Sequence, residues 1–193
     1  MGFETEFMPR LGRRRNGFKI LFEHLRRRAA RKRRLVLVET GCLRLRGGRL
    51  PWAECGCSSI LFDRFAGELG ARARFISIDH DKKNCALTRR HCPRASVICG
   101  DSVKTLYCLR GKIGRIDLLY LDSCDLNWRN PHASALHHLE ELCAAAPMLE
   151  SGAIVFVDDN SAGIGKGMYV QDFMKKAGAR QICDEYQIGF VWP

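Results

Sequence analysis

The chain has 193 residues, 46% of them hydrophobic and 27% charged, proportions of an ordinary globular chain that exclude a disordered, fibrous or membrane-embedded protein. No apolar run reaches the roughly 18–20 residues that span a bilayer, and no apolar segment with a small-residue cleavage site opens the chain, so one compact domain in the cytoplasm is expected. The formal charge of +11 is uneven: residues 9–34 carry twelve Arg or Lys against the single acid Glu23, residues 1–8 give −2 and residues 35–193 give +2.

That step in charge sets a boundary near residue 34, between a basic N-terminal extension (1–34) and a nearly neutral domain (35–193). In the extension, Phe18, Leu21, Phe22, Leu25 and Ala29 recur at helical spacing, and Arg26, Arg27, Arg28 and residues 31–34 supply the rest of the surface. Three readings of this basic amphipathic helix stand open. The stripe packs on the main domain, or the helix lies on an anionic membrane, or its arginines between residues 10 and 34 neutralise nucleic-acid phosphates. Glu4 and Glu6 argue against a mitochondrial transit peptide.

From residue 35, short apolar runs alternate with helical patterns. Strands are expected at 35–38, 75–78, 96–99, 116–121 and 153–157, and helices at about 58–70, 82–91, 102–110, 133–149 and 166–178. Nearly continuous apolar strands joined by helices indicate a parallel sheet covered on both faces, an α/β, doubly wound, Rossmann-like architecture. Residues 180–186 and 187–192 read as two successive extended runs, so a C-terminal hairpin brings an antiparallel element to a sheet of about seven strands. The ten cysteines are expected to be reduced: Cys99 falls in a strand and Cys85, Cys108 and Cys143 in helical patterns, where thiols act as small hydrophobes. Cys55 and Cys57 lack a second Cys/His pair at finger spacing, which argues against structural zinc.

In such sheets the ligand sits beyond the carboxyl ends of the strands. The segments there are Glu39-Thr40-Gly41, Asp79-His80-Asp81, Gly100-Asp101-Ser102, Asp122-Ser123-Cys124-Asp125 and Asp158-Asp159-Asn160, so every parallel strand ends in an acid. Helix capping explains any one of them. Five on one edge suit a ligand with hydroxyls, an amino group or positive charge. A Walker-type loop is missing and no tight G-x-G-x-x-G follows the first strand, which removes nucleoside triphosphates and dinucleotides.

This series over residues 35–193 resembles the class I S-adenosylmethionine-dependent methyltransferases. The resemblance implies that Glu39, Thr40 and Gly41, with Gly56 and Ser58 at the next helix, line the methionine end of the cofactor. It implies that Asp79 holds the ribose hydroxyls with His80 beside it, and that Asp101 and Ser102 meet the adenine. A carboxylate suits a vicinal diol because it accepts two hydrogen bonds. The chain departs from the family pattern at Cys42–Cys55, an Arg- and Gly-rich insertion with Pro51 and Trp52, either a lid or a surface loop.

The Asn/Asp-Pro-Pro-aromatic turn of base N-methyltransferases is replaced by Asp122-Ser123-Cys124. Asp122 with Asp159 and Asn160 instead looks like the divalent-cation site of catechol-type and sugar O-methyltransferases, with hard oxygen ligands that suit Mg²⁺. Catechol-type enzymes carry a Lys three positions after the first metal Asp. Here Asp125 stands there, so Asp122, Asp125, His132, His137 and Lys166 are the candidate catalytic groups. His137 and His138 sit in a helical pattern, where a solvated or core role is the expectation. Trp128 in the loop after Asp122 is a candidate for stacking on an acceptor, and Gly163–Gly167 for close approach to a ligand. The expected activity is methyl transfer from S-adenosylmethionine to a small-molecule hydroxyl, a sugar ahead of a phenol. A nucleic-acid methyltransferase and a non-catalytic binding module are the alternatives.

Overall fold

The computed structural model describes residues 3–55 and 57–193. In chain order the elements are α1 (Phe3–Phe7), α2 (Arg15–Arg31), β1 (Leu35–Thr40), α3 (Trp52–Cys55), α4 (Ser58–Leu69), β2 (Ala73–Asp79), α5 (Lys82–His91), β3 (Ala95–Cys99), α6 (Ser102–Leu109), β4 (Ile116–Leu121), α7 (His132–Ala145), β5 (Leu149–Val157), the short ribbon β6 (Asn160–Ser161) and β7 (Ile164–Gly165), α8 (Met168–Lys176), β8 (Arg180–Asp184) and β9 (Ile188–Val191). Seven strands form one sheet in the order β3-β2-β1-β4-β5-β9-β8. The first five run parallel; β9 enters antiparallel to β5, and β8 pairs with β9 at the rim. The architecture is the expected doubly wound, mostly parallel sheet with an antiparallel hairpin.

Strand alternation divides the core. Leu35 and Leu37 of β1, Phe75 of β2, Leu118 and Tyr120 of β4, and Ile154 and Phe156 of β5 face one way, onto Phe18, Leu21, Phe22 and Leu25 of α2 and Leu61, Phe62 and Phe65 of α4. Val38, Ile76, Ile78, Leu119, Leu121, Val155 and Val157 face the other way, onto Leu106 of α6, Leu142 of α7, and Val170 and Met174 of α8. Element ends shift from the sequence pattern by a few residues, and two of the shifts have a plain cause. Pro147 stops α7 at Ala145 through a short 3-10 turn, so β5 starts at Leu149 rather than 153. Gly167 precedes α8, which leaves Lys166 in the loop ahead of it.

Of the three readings of the basic segment, the structure shows the first: its apolar stripe packs as a layer of the same core. Phe7 and Leu11 join the five-residue stripe of α2 in the buried cluster, and the ring of Phe18 stacks on Tyr120 at 5.7 Å between centroids. Its charge is partly consumed inside the fold: Arg28 Nε and Lys32 Nζ bond the buried Asp117 carboxylate at 2.6 and 2.8 Å, and both side chains reach Glu150. Arg27, Arg31, Arg33 and Arg34 stay exposed. Among the described residues, no helix is long and apolar enough to cross a membrane. All ten cysteines are free.

Candidate functional site

The parallel strands bring their carboxyl ends to one edge, and strand order reverses between β1 and β4, which opens a crevice between them. A cavity of about 620 Å³ fills it, lined by Gly41, Ser58, Asp79, Asp101, Ser102 and Asp122 among others. That volume lies in the range of small-molecule and cofactor pockets.

β1 ends at a forced glycine. Gly41 has φ +89° and donates its N–H to the Ile78 carbonyl at 2.8 Å, and a Cβ there would overlap the backbone carbonyl of Asp122. Only a residue without a side chain lets β1 and β4 close at the crevice. Gly41→Ala is expected to cost about 1–3 kcal/mol from the left-handed conformation alone, more with the overlap, and to open the cavity floor. Urea unfolding of the variant checks the size.

Glu39 and Thr40, expected at the methionine end of the cofactor, are turned to opposite faces of the sheet by the same alternation that sorts the core, and each ties neighbouring elements together. Glu39 accepts from Ser58 Oγ, from Ser59 Oγ at 2.7 Å and from Ser77 Oγ at 2.9 Å, and so ties α4 and β2 to β1. Burial pushes its carboxyl up to about 8 against the pull of those hydroxyls. Thr40 Oγ1 donates to Glu141 Oε2 at 3.0 Å on the other face. Gly56 lies outside the described residues.

Asp79 is held rigidly. Its Oδ2 accepts from Cys42 N at 2.8 Å and Asn84 Nδ2 at 3.2 Å, and its Oδ1 from Asp81 N at 2.8 Å. Of the four acceptor directions of a carboxylate, about one stays open. His80 stands exposed at the rim with Nδ1 3.7 Å from Asp79. Asp101 caps α6 by accepting from Lys104 N at 2.9 Å, while Ser102 Oγ lies 3.1 Å from His137 Nε2. His137 is a wall of the cavity, and its pKa is raised by the hydrogen bond to the buried Glu141 carboxylate. Residues 42–45 and Cys55 also line the cavity, so the insertion forms one wall of the site.

The candidate catalytic residues separate. Asp122 faces the cavity with its side chain 18% exposed; Asp125, 77% exposed, is tied to Arg44 Nη1 at 2.6 Å at the mouth. His132 is corrected: its Nδ1 pairs with the Tyr169 hydroxyl at 2.6 Å on the α7–α8 surface, outside the cavity lining. Trp128, 48% exposed, also lies outside it. Lys166, a candidate base, is a buried side chain, 1% exposed, with Nζ 2.5 Å from Asp122 Oδ1 and 3.1 Å from Asp159 Oδ2. Burial works to lower its pKa, but Asp122, Asp159 and Asp158 together hold it above the ordinary lysine value.

The expected metal set changes membership. Asn160 is used by the backbone: its Nδ2 donates to the carbonyls of Val157 and Asp158 at 3.0 and 2.9 Å, and its Oδ1 accepts from Gly167 N at 2.7 Å. Asp122, Asp158 and Asp159 gather instead, with one oxygen from each within 4.8 Å of the others. Arg14 enters this group from the α2 side, its Nε 2.9 and 2.7 Å from the two Asp158 oxygens, its Nη2 2.6 Å from Asp159 Oδ1 and its Nη1 on the Glu54 carbonyl. Tyr186 donates to Asp159 Oδ1 at 2.8 Å and lies under the Arg14 guanidinium.

Arg14 and Glu141 are not assigned to the site from the sequence, and Asp158, named at the ligand edge, is left out of the expected metal set. Two had a signal. Arg14 lies four residues before Phe18 and continues the apolar stripe of α2; Asp158 continues the Ile154, Phe156 alternation of β5 toward that same helix.

No protein-family profile matches the chain, and no curated protein matches it. Solved structures do. The calicheamicin methyltransferase CalS11 superposes with a TM-score of 0.62 at 16% identity, over 94% of this chain and 81% of that one. MycE, a methyltransferase of the mycinamycin biosynthetic pathway solved with Mg, S-adenosylhomocysteine and mycinamycin VI, gives 0.63 at 15%, over 98% of this chain and 53% of MycE. The O-methyltransferase NovP gives 0.57 at 16%, over 88% and 76%. The chain thus has the α/β fold of S-adenosylmethionine-dependent methyltransferases.

Proposed function

We propose that the chain is an S-adenosylmethionine-dependent methyltransferase that acts on a hydroxyl group of a small molecule, a sugar ahead of a catechol or phenol. The observation that carries this reading is the convergence of Gly41, Asp79, Ser102 and Asp122, from four successive strand ends, on one cavity of about 620 Å³. Among the described residues its lining holds no Phe, Tyr or Trp ring, only the imidazoles of His80 and His137, beside acids, serines and Arg44. Such walls suit hydroxyls better than an arene. Calicheamicin and mycinamycin, the compounds tied to the structural relatives, are small molecules as well.

The cofactor fits the residues present. Asp79, with one acceptor direction open, would take a ribose hydroxyl, Asp101 and Ser102 on the same wall would meet adenine polar atoms, and Gly41 would present backbone rather than side chain to the methionine end. S-adenosylmethionine, when bound, supplies an electrophilic methyl group. The protein's own contribution is to orient the acceptor hydroxyl and take its proton. Asp122 Oδ2 serves that purpose: Oδ1 is engaged by Lys166, and the side chain faces the cavity. The carboxylates do not fit a divalent ion, because cations of the chain already bond them, and no step passes through a metal.

The C-terminal end of the basic segment gives no support to a nucleic-acid substrate. Arg31, Arg33 and Arg34 flank the start of β1, at the sheet edge opposite the cavity, so a polyanion held there is not presented to Asp122.

Calorimetric titration with S-adenosylhomocysteine tests the reading. Micromolar binding is expected, and Asp79→Ala is expected to weaken it by about 10- to 100-fold, the size of a lost charged hydrogen bond with some loosening at Cys42. A chain that does not bind S-adenosylhomocysteine at millimolar concentration is not a methyltransferase.

A further inference from the structure

We propose that the Lys166 ammonium and the Arg14 guanidinium are the resident cations of the Asp122–Asp158–Asp159 cluster, and that this protein neither binds nor needs a divalent ion there. That transfer proceeds without metal rests on the methyltransferase reading above; the occupancy of the cluster does not.

The cluster has the donor chemistry of a magnesium site, three carboxylates with oxygens within 4.8 Å of one another. Five of its six oxygens are nevertheless hydrogen-bonded to side chains: Asp122 Oδ1 and Asp159 Oδ2 to Lys166, both Asp158 oxygens to Arg14, and Asp159 Oδ1 to Arg14 and Tyr186. Lys166 Nζ bridges two carboxylates, as a bridging ion would. Three carboxylates against two fixed cations leave one net negative charge. A divalent ion would have to settle within a few ångströms of an ammonium in a buried site, where like charges repel strongly.

Displacing Lys166 is opposed by the loop that carries it. The β6–β7 ribbon pairs Asn160 with Gly165, and Lys166 N donates to the Asp159 carbonyl at 3.2 Å. A Cβ at Gly165 would overlap that carbonyl, and one at Gly167 would come within 2.7 Å of Asn160 Oδ1. Gly165 and Gly167 therefore serve the packing of this loop onto Asp159 and Asn160, and Lys166 is pinned on the carboxylates rather than carried on a swinging segment. Arg14 is equally fixed, 3% exposed and bonded through all three guanidinium nitrogens.

Electron paramagnetic resonance of Mn²⁺ with the full chain decides the matter without an acceptor. The wild type is expected to leave the free-ion signal unchanged up to about 1 mM Mn²⁺. Lys166→Met bares Asp122 Oδ1 and Asp159 Oδ2 and takes the net charge of the cluster from −1 to −2; it is expected to take up one Mn²⁺ at least about tenfold more tightly, and to melt higher with the metal present. Stoichiometric Mn²⁺ binding by the wild type that Asp159→Asn abolishes overturns the proposal. So does a folded Lys166→Met that remains blind to Mn²⁺. Should Lys166→Met fail to fold, the wild-type and Asp159→Asn titrations decide alone. Titration with S-adenosylhomocysteine in metal-free buffer separates the two ideas: loss of cofactor binding removes the methyltransferase reading and leaves the Mn²⁺ result standing.

Discussion

Arg14→Ala is expected to lower stability by about 3–5 kcal/mol, the cost of stranding a buried charge by removing its partner. At 193 residues this corresponds to a melting temperature roughly 6–20 °C lower. The size follows from Asp158, fully buried, whose two oxygens both bond Arg14 Nε. Without the guanidinium, Asp158 keeps two acidic neighbours and only Lys166 to offset them. Arg14→Lys is expected to recover little, since one ammonium cannot reach Asp158, Asp159 and the Glu54 carbonyl together as the fork does. Adding Asp158→Asn to Arg14→Ala is expected to restore part of the loss by removing the stranded charge. Arg33→Ala, on an exposed arginine of the same basic run, is expected to stay within about 0.5 kcal/mol. Thermal and urea unfolding of these variants measure the series; a drop under about 2 °C for Arg14→Ala would show that the cluster is wetter than its burial indicates.

That one of twelve basic residues carries this weight shows where the sequence stops being legible. The five parallel strands could be read because each is a short apolar run ended by an acid, and the ligand edge followed from the rule that such sheets bind at their carboxyl ends. Asp79, Ser102 and Asp122 were found on that basis and do line one cavity. Glu39 and Thr40 were assigned by resemblance, and strand alternation, which turns them to the α4 and α7 faces, shows what else they do. Further upstream, net charge alone left packing, membrane and nucleic-acid readings of the helix open. A dense basic run signals a solvated arm, yet the stripe beneath it fills one face of the sheet, and Arg14 at its head is the residue that reaches the acids. The insertion of β9 between β5 and β8 depends on pairing across the sheet, which a local pattern does not encode.

Asp122→Asn is expected to lower the rate of methyl transfer by about 10²–10⁴-fold, the usual contribution of a positioned general base. Affinity for S-adenosylhomocysteine is expected to stay within about threefold, because the contacts assigned to ribose and adenine lie on Asp79, Asp101 and Ser102. The substitution is mild for the fold: an amide oxygen can still accept from Lys166 where Asp122 Oδ1 does. What it removes is the proton acceptor at Oδ2. Burial, with the charge of Asp159, pushes the Asp122 carboxyl above its ordinary value despite Lys166. Since the deprotonated form is the base, the wild-type rate should rise with pH through that elevated pKa, and the residual rate of Asp122→Asn should lack the step. Asp125→Asn separates the two neighbouring acids. Exposed and paired with Arg44 at the cavity mouth, it is expected to shift KM for the acceptor and leave kcat within a few-fold. Loss of turnover in Asp125→Asn with none in Asp122→Asn would move the base to the mouth of the cavity and leave Asp122 as the carboxylate partner of Lys166.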